Sequence, residues 1–352
     1  MKYIDLFAGV GGFHYGIEKA SQLVEDSTNK VSQPNQSEFE INRREWQHAT
    51  CVYSNEWDKY ANSVYRKHFG ECDDRDIREV DASEIPDHNL LCGGFPCQAF
   101  SIAGKRGGFD DTRGTLFFEI ARIIKEKRPR LLLLENVKGL LNHEQGRTFG
   151  VILTTLDELG YDVQWQVCNS KDFGVPQNRE RVYIVGHLRG TPRPEVFPLT
   201  GTDQTTNKGI EIIAHRKSYR RNTQVFSPDG ITEAMDTGQG GGRGHYTAIP
   251  VLTPDRPEKR QNGRRFKTDG EPSFTLTAQD KHGIFDGLKI RKLTPIECER
   301  LQGFPDNWTA IDADGKPVSD TQRYKMMGNA VTTNVVTEIV SKIIHSERKN
   351  DF

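Results

Sequence analysis

Four apolar runs of strand length, each ending in residues that carry chemistry, constrain the fold of this chain more than any other feature. Tyr3-Ile-Asp-Leu-Phe7 runs into Ala8-Gly-Val-Gly-Gly-Phe13, and Thr50-Cys-Val-Tyr-Ser54 into Asn55-Glu-Trp-Asp58. Asn89-Leu-Leu-Cys92 leads to Gly93-Gly-Phe-Pro-Cys97, and Arg130-Leu-Leu-Leu-Leu134 to Glu135-Asn-Val137. Segments of helical spacing lie between them, such as Leu116, Phe117, Ile120, Ile123 and Ile124. Strands alternating with helices predict an α/β fold with a doubly wound, mostly parallel sheet. Ligands of such sheets bind in the crevice beyond the carboxyl ends of the strands. Asp5, Glu56, Cys97 and Glu135 are therefore expected to converge there.

The turn at 93–97 is the most pointed of the four. Its glycines let backbone approach a ligand, and a proline stiffens the chain just before the cysteine. Most free cysteines pack as small hydrophobes, but this one follows a strand and precedes a Gly-rich basic loop, so it reads as a presented thiol. The other cysteines, at 51, 72, 92, 168 and 298, give neither a zinc pattern nor a disulfide framework. A reducing cytoplasm is the expected location. No apolar run approaches the ~20 residues needed to span a bilayer, and with a strand expected within the first few residues no signal peptide is expected.

Periodic patterns hold through Val182-Tyr-Ile-Val-Gly186, after which residues 190–290 turn rich in Gly, Pro, Thr, Asp and Arg. That composition predicts a smaller, loop-rich domain. The expected division is a large domain of 1–188 plus 322–352, a small domain of 190–290 and a hinge segment of 291–321. Residues 191–290 carry a net charge of +3 within a chain of net −1. Arg216-Lys217, Arg220-Arg221 and Lys259-Arg260 are candidate phosphate contacts, although such runs are usually just solvated faces. Within the small domain, Asp229-Gly230, Thr237 and Gln239 are echoed forty positions later by Asp269-Gly270, Thr277 and Gln279. Each copy then reaches a basic residue, Arg243 or Lys281. Two similar loops set side by side against one partner would explain the echo. Thr294-Pro-Ile-Glu297 predicts a helix start, with threonine as cap, proline first and glutamate three after. Val335, Ile339, Ile343 and Ile344 predict an apolar helix face over about 334–345. Residues 22–48 read as a polar surface insertion.

Together these motifs resemble the cytosine-C5 DNA methyltransferases, in particular the compact bacterial modification enzymes, over nearly the whole chain. Asp5-Leu-Phe-Ala-Gly-Val-Gly-Gly-Phe13 is similar to the family's cofactor loop, Asn55-Glu-Trp-Asp58 to its acidic ribose motif, and Gly94-Phe-Pro-Cys-Gln98 to its nucleophile loop. Glu135-Asn-Val137 and Gln177-Asn-Arg-Glu-Arg181 match its two target-base motifs. Residues 291–305 and Gly328-Asn-Ala-Val331 match its two closing motifs.

The resemblance implies a class I S-adenosylmethionine-dependent methyltransferase with a target-recognition domain. Cys97 would be the nucleophile at cytosine C6, since a thiolate there turns the ring into an enamine. Glu135 would supply the proton or hydrogen bond at N3. Arg181 would contact the cytosine carbonyl, and Arg179 would help orient nucleophile and base. The implied cofactor set is Phe7, Ala8, Gly9, Gly11, Gly12, Asn55, Glu56, Trp57, Asp76, Pro96, Leu116 and Asn329, with Asp81 competing with Asp76 for the adenine amino group. The base that removes the C5 proton is not identified, and a water could serve.

A duplex base must be flipped out to reach Cys97, and the Gly-rich 98–113 loop could close over it. Gln98, Ser101, Lys105, Arg106, Gln239, Arg243, Gln279 and Lys281 are the candidate DNA contacts. Ala103 stands where close relatives can carry serine. The implied partner is double-stranded DNA, met as a monomer. A companion restriction endonuclease acting on the same site belongs to the resemblance and to no residue of the chain. A transfer-RNA methyltransferase is the near alternative, against which Phe95-Pro96-Cys97 speaks. A catalytically silent DNA-binding module would not need Cys97, Glu135 and Arg181. A nicotinamide oxidoreductase would want the third glycine of G-x-G-x-x-G, which this loop lacks.

Overall fold

The computed structural model describes residues 1–29, 49–96, 116–201, 212–215, 224–226, 249–252, 267, 271–278, 282–285 and 290–347. Its centre is a six-stranded sheet of β1 (Lys2–Leu6), β2 (Thr50–Asn55), β3 (Leu90–Gly94), β4 (Leu131–Val137), β5 (Tyr161–Asn169) and β6 (Glu180–Leu188), in the order β2-β1-β3-β4-β6-β5. Neighbours pair in parallel from β2 to β4, whereas β6 runs antiparallel to both β4 and β5. The sheet is thus mostly parallel, with one reversed strand near its edge.

The four leucines of β4 show why it is central. Successive side chains of a strand point to opposite faces, so Leu131 and Leu133 enter one core while Leu132 and Leu134 enter the other, all fully buried. Only a strand covered on both faces needs apolar residues in an unbroken run. The first face is covered by α1 (Gly12–Asn29) and α7 (Thr333–Glu347), which carries Val335, Val336, Ile339 and Val340. The second is covered by α3 (Leu116–Lys127) and α4 (Arg147–Glu158). The predicted last helix is present and slightly longer than its apolar face suggested. α1 also runs longer than expected, taking in the start of the polar 22–48 segment; residues 30–48 lie outside the described residues.

A third core joins α2 (Lys59–Phe69) to α5 (Pro295–Leu301) and α6 (Asp320–Asn329), with Phe304 and Trp308 between them. At α5 the predicted cap is seen in full: Thr294 accepts from the Glu297 N–H, and Glu297 accepts in return from the Thr294 N–H. Gly303, at φ 79°, takes the left-handed conformation just past the helix end.

Residues 194–199 lie along the edge strand β5, where glutamine side chains stand in for a partner strand. Gln164 donates to Pro194 O and accepts from the Val196 N–H; Gln166 donates to Leu199 O and accepts from the Leu199 N–H. Val196 and Leu199 enter the first core. Beyond them, the described parts of 202–292 comprise an antiparallel pair, Ile212–His215 with Gln224–Phe226, and a three-stranded antiparallel sheet of Ile249–Leu252, His282–Phe285 and Ile290–Lys292.

Candidate active site

The loop after β1 is shaped by backbone that few residues tolerate. Phe7, Gly9 and Gly11 have φ of 56°, 57° and 87°, in the left-handed region that favours glycine. Packing also dictates two of the glycines. A Cβ on Gly11 would strike the Phe69 ring, and one on Gly12 would lie 2.4 Å from Val331 Cγ1. The Trp308 indole donates to Val10 O at 2.9 Å, so the third core braces the loop from below.

Glu56 is the acceptor that this loop meets. Its Oε2 accepts from the Gly9 N–H at 2.9 Å and its Oε1 from the Asp58 N–H at 2.8 Å. Burial pushes its carboxyl up from the ordinary value, and those two N–H groups oppose the shift. Asn55, also buried, donates to the carbonyls of Asp73 and Arg75, while Ala8 N–H donates to Asn55 O. The 7–12, 55–58 and 73–76 segments are thereby one assembly. Trp57 stands 66% exposed beside it, an apolar face without cover. Asp76 pairs with Arg78, and Asp81 caps a short helix at 82–84. Both competing carboxylates therefore have structural partners. Asp58 caps α2 and binds Lys325 Nζ at 2.6 Å, tying this assembly to α6, whose last residue is Asn329.

Asp5 departs from expectation. It was expected among the reactive residues at the strand ends, but it lies inside β1, fully buried, with neither carboxylate oxygen in a hydrogen bond of normal geometry. Strand alternation puts it with Tyr3, on the α1 side of the sheet. Burial pushes its carboxyl well up, against the backbone N–H of His14 in the first turn of α1.

The second assembly forms where β3, β4 and β6 meet. Gly94 pairs with Glu135, and Glu135 with Tyr183, which makes Arg181 a diagonal neighbour of Glu135 on the same face. Arg181 Nε lies 3.0 Å from Glu135 Oε1. The other oxygen, Oε2, lies 3.3 Å from where a Cβ of residue 94 would stand, so glycine there leaves the carboxylate its room. Burial pushes the Glu135 carboxyl up, while Arg181 and then Arg179 pull it back.

Two residues of this region escaped assignment from sequence. Asn136 donates to Phe95 O at 2.8 Å and accepts from the Val137 N–H, pinning the 94–96 turn onto β4. Gln177, fully buried, donates to Leu301 O and accepts from the Leu276 N–H. Both matched a family motif, yet their partners lie 41, 124 and 99 positions away, which no local pattern reveals. Arg179, expected to orient nucleophile and base, gives its observed hydrogen bonds to three backbone carbonyls: Leu276, Gly328 and Ala330.

Of the expected site residues, Pro96 is exposed at the end of the turn and Leu116 opens α3. Cys97, Gln98, Ser101, Lys105, Arg106, Gln239, Arg243, Gln279 and Lys281 lie outside the described residues. Among the described residues, no cluster of His, Cys, Asp and Glu could hold a metal ion, and no helix is long and apolar enough to cross a membrane. A cavity of about 530 Å³, lined by His14, Cys51, Tyr53, Tyr65, Phe69 and Cys72 among others, and one of about 700 Å³ beside Trp165 and Phe197 contain none of the expected site residues.

Known proteins share both sequence and fold with this chain. It is 40% identical to the Type II methyltransferase M.SsoII of Shigella sonnei over 97% of its own length and 80% of that protein's. Against the Type II methyltransferase M.HhaI of Haemophilus parahaemolyticus it is 36% identical, over 97% and 94%. A Spodoptera frugiperda DNMT2 structure superposes with a TM-score of 0.60 at 18% identity, covering 97% of this chain and 99% of that one. A putative prophage-encoded DNA modification methyltransferase of E. coli gives 0.59, also at 18% identity, covering 99% of each. Those structural likenesses establish the class I methyltransferase fold. The family described as C-5 cytosine-specific DNA methylase matches residues 1–345, and with relatives of this identity over nearly the full length, the chain belongs to that family and is a DNA (cytosine-5-)-methyltransferase.

Proposed function

We propose that the protein transfers a methyl group from S-adenosylmethionine to C5 of a cytosine flipped out of a short, specific duplex site. The observation that carries this reading is the Glu135–Arg181 pair, held beside the glycine turn that leads directly into Cys97. The loop fits the donor: an exposed indole for adenine at Trp57, a buried acceptor for the ribose hydroxyls at Glu56, and close backbone approach at Gly9. S-adenosylmethionine supplies an electrophilic methyl group at its sulfonium. Phe7, Ala8, Gly11, Gly12, Asn55, Asp76, Pro96, Leu116 and Asn329 complete its proposed contacts.

The protein's groups then act in sequence. The Cys97 thiolate forms a bond to C6, and the displaced electron pair is received at N3 with a proton from Glu135. A carboxyl raised by burial keeps that proton nearer neutral pH than an exposed one. Arg181 holds the carbonyl of the ring. The C5 carbon takes the methyl group as its bond to the sulfonium breaks, leaving S-adenosylhomocysteine; a base removes the C5 proton, and the C6–sulfur bond breaks as Glu135 recovers the N3 proton.

DNA would lie between a large domain (1–188 with 322–352) and a recognition domain (190–290), joined through 291–321. Gln98, Ser101, Lys105, Arg106, Gln239, Arg243, Gln279 and Lys281 are the proposed contacts, and the +3 charge of 191–290 suits them. The Type II names of its relatives suggest a companion restriction endonuclease acting on the same site. A cytoplasmic monomer is the proposed form. Labelled S-adenosylmethionine incubated with plasmid DNA, followed by bisulfite sequencing, tests the reading. Methylcytosine at one short motif, absent with Cys97→Ser, is expected. Transfer to RNA alone would replace DNA as the substrate, and no transfer to either would end the proposal.

A further inference from the structure

Arg179 is a costly residue where it stands. It is 2% exposed, and a buried guanidinium without a directly bonded carboxylate demands compensation. Burial and the neighbouring Arg181 pull its pKa down to about 9, against the opposing pull of Glu135, so it stays charged at neutral pH. Its compensation comes from carbonyls in two distant stretches of chain. Nη1 donates to Leu276 O at 2.8 Å; Nη2 donates to Ala330 O at 2.8 Å and to Gly328 O at 3.1 Å.

The stretches joined in this way are functionally distinct. Residues 273–278 lie just before Gln279 and Lys281. They run beside residues 176–179: Asn178 N–H donates to Ser273 O, Ser273 N–H donates to Pro176 O, and Gln177 grips the Leu276 N–H. Residues 328–330 contain Asn329, and the next residue, Val331, fills the space beside Gly12 of the cofactor loop. The two stretches are in direct contact, since a Cβ on Gly328 would lie 2.3 Å from Thr277 C and 2.4 Å from Ala278 N. Those are backbone atoms, which cannot swing aside as a side-chain tip can. A flat, multidentate cation suits such a junction, because one guanidinium satisfies several carbonyls in fixed relative positions.

We infer that Arg179 is a positioning residue that couples DNA engagement to cofactor binding. By fixing residues 276, 328 and 330 to one another, it makes the recognition segment and the cofactor segment adopt their binding arrangement together. Ordering either one with its ligand then lowers the cost of ordering the other. The coupling is reciprocal: DNA tightens the cofactor by the factor with which the cofactor tightens DNA. This inference rests on the proposed placement of cofactor at Asn329 and of DNA beyond residue 278.

The test measures the dissociation constant of S-adenosylhomocysteine with and without a duplex carrying the motif found by bisulfite sequencing. The wild-type protein is expected to show a coupling factor within about 5–150. Arg179→Lys keeps the charge but loses the planar fork. It is expected to bind each ligand alone within a few-fold of wild type while its coupling factor falls towards 1. Gly328→Ala, which wedges the same junction from the other side, serves as the second variant if Arg179→Lys does not fold. A wild-type protein that methylates DNA but shows no coupling would overturn the inference and leave the proposed function standing. So would a variant that weakens both ligands yet keeps the wild-type coupling factor. A wild-type protein that methylates neither DNA nor RNA would instead remove the functional reading beneath it.

Discussion

Glu56 is buried and Glu135 largely so, both carboxylates at the rim of one sheet, and the chain holds them in opposite ways. Glu56 is met by neutral backbone N–H groups on both oxygens, which favour its charge and fix its direction. Glu135 is met by a guanidinium on one oxygen only, and the other faces the room left by Gly94. A carboxylate cradled by amides is a preformed acceptor. One whose burial is opposed by a guanidinium on one oxygen has its carboxyl raised from the ordinary value and leaves its second oxygen facing open room. The difference teaches how one residue type can suit the proposed recognition role in one assembly and the proposed proton transfer in the other, according to what opposes its burial.

The largest expected effect tests the proton-transfer half. Glu135→Gln should lower kcat by about 10²–10⁴, the usual range for a positioned acid or base, while S-adenosylmethionine binding stays unchanged. A variant with wild-type kcat would show that N3 is protonated by another group. Glu56→Gln should do the reverse. It should weaken S-adenosylmethionine binding by roughly tenfold to a hundredfold, in line with hydrogen bonds to a charged group, with kcat at saturation within a few-fold. If both variants change only kcat, the two carboxylates are not divided in role.

Asn136→Ala should destabilise the protein by about 1–3 kcal/mol, because it leaves the buried Phe95 carbonyl without its donor. Thermal unfolding reads that loss. A fall in kcat larger than the loss of folded protein would show that the pin also holds the Cys97 turn.

Asp5 sharpens the comparison from a third side, being buried with neither paired amides nor a guanidinium. Its folded-state pKa is raised above the ordinary value of about 3.9. The neutral form is therefore the one the fold favours. Its contribution to stability is full below pH ~4 and is lost as pH rises through the folded value. Asp5→Asn should match wild type in unfolding experiments near pH 4 and gain on it steadily at higher pH. An unchanging difference from pH 4 to 8 would mean that Asp5 is ionised in the fold.

The parts of this arrangement that local sequence encodes were readable in advance. Four leucines in a row require a strand covered on both sides, and Thr294 with Glu297 names its own helix start. Glu135 near the end of β4 follows from the same run. Strand alternation, which hides Asp5 with Tyr3, is equally local, but the competing likeness of a carboxylate near a strand end was stronger. What remained illegible is held by groups far apart in the chain. Trp308 reaches Val10 across 298 positions and Gln177 reaches Leu301 across 124. The carbonyls that Arg179 binds belong to peptide groups, which every residue has, so no residue type marks them. Gln164 and Gln166 carry no local signal of the 194–199 segment that lies beside them.

The fit of Val331 and Val336 against Gly12 and Gly16 has a consequence for the order in which the protein becomes competent. The helix that follows this glycine loop is synthesised before the valines that complete its packing. A ribosome must pass the proposed recognition region, 190–290, before it reaches them. A chain halted earlier has an unfinished loop, so on the proposed reading the nascent protein acquires its means of choosing a cytosine before it can modify one.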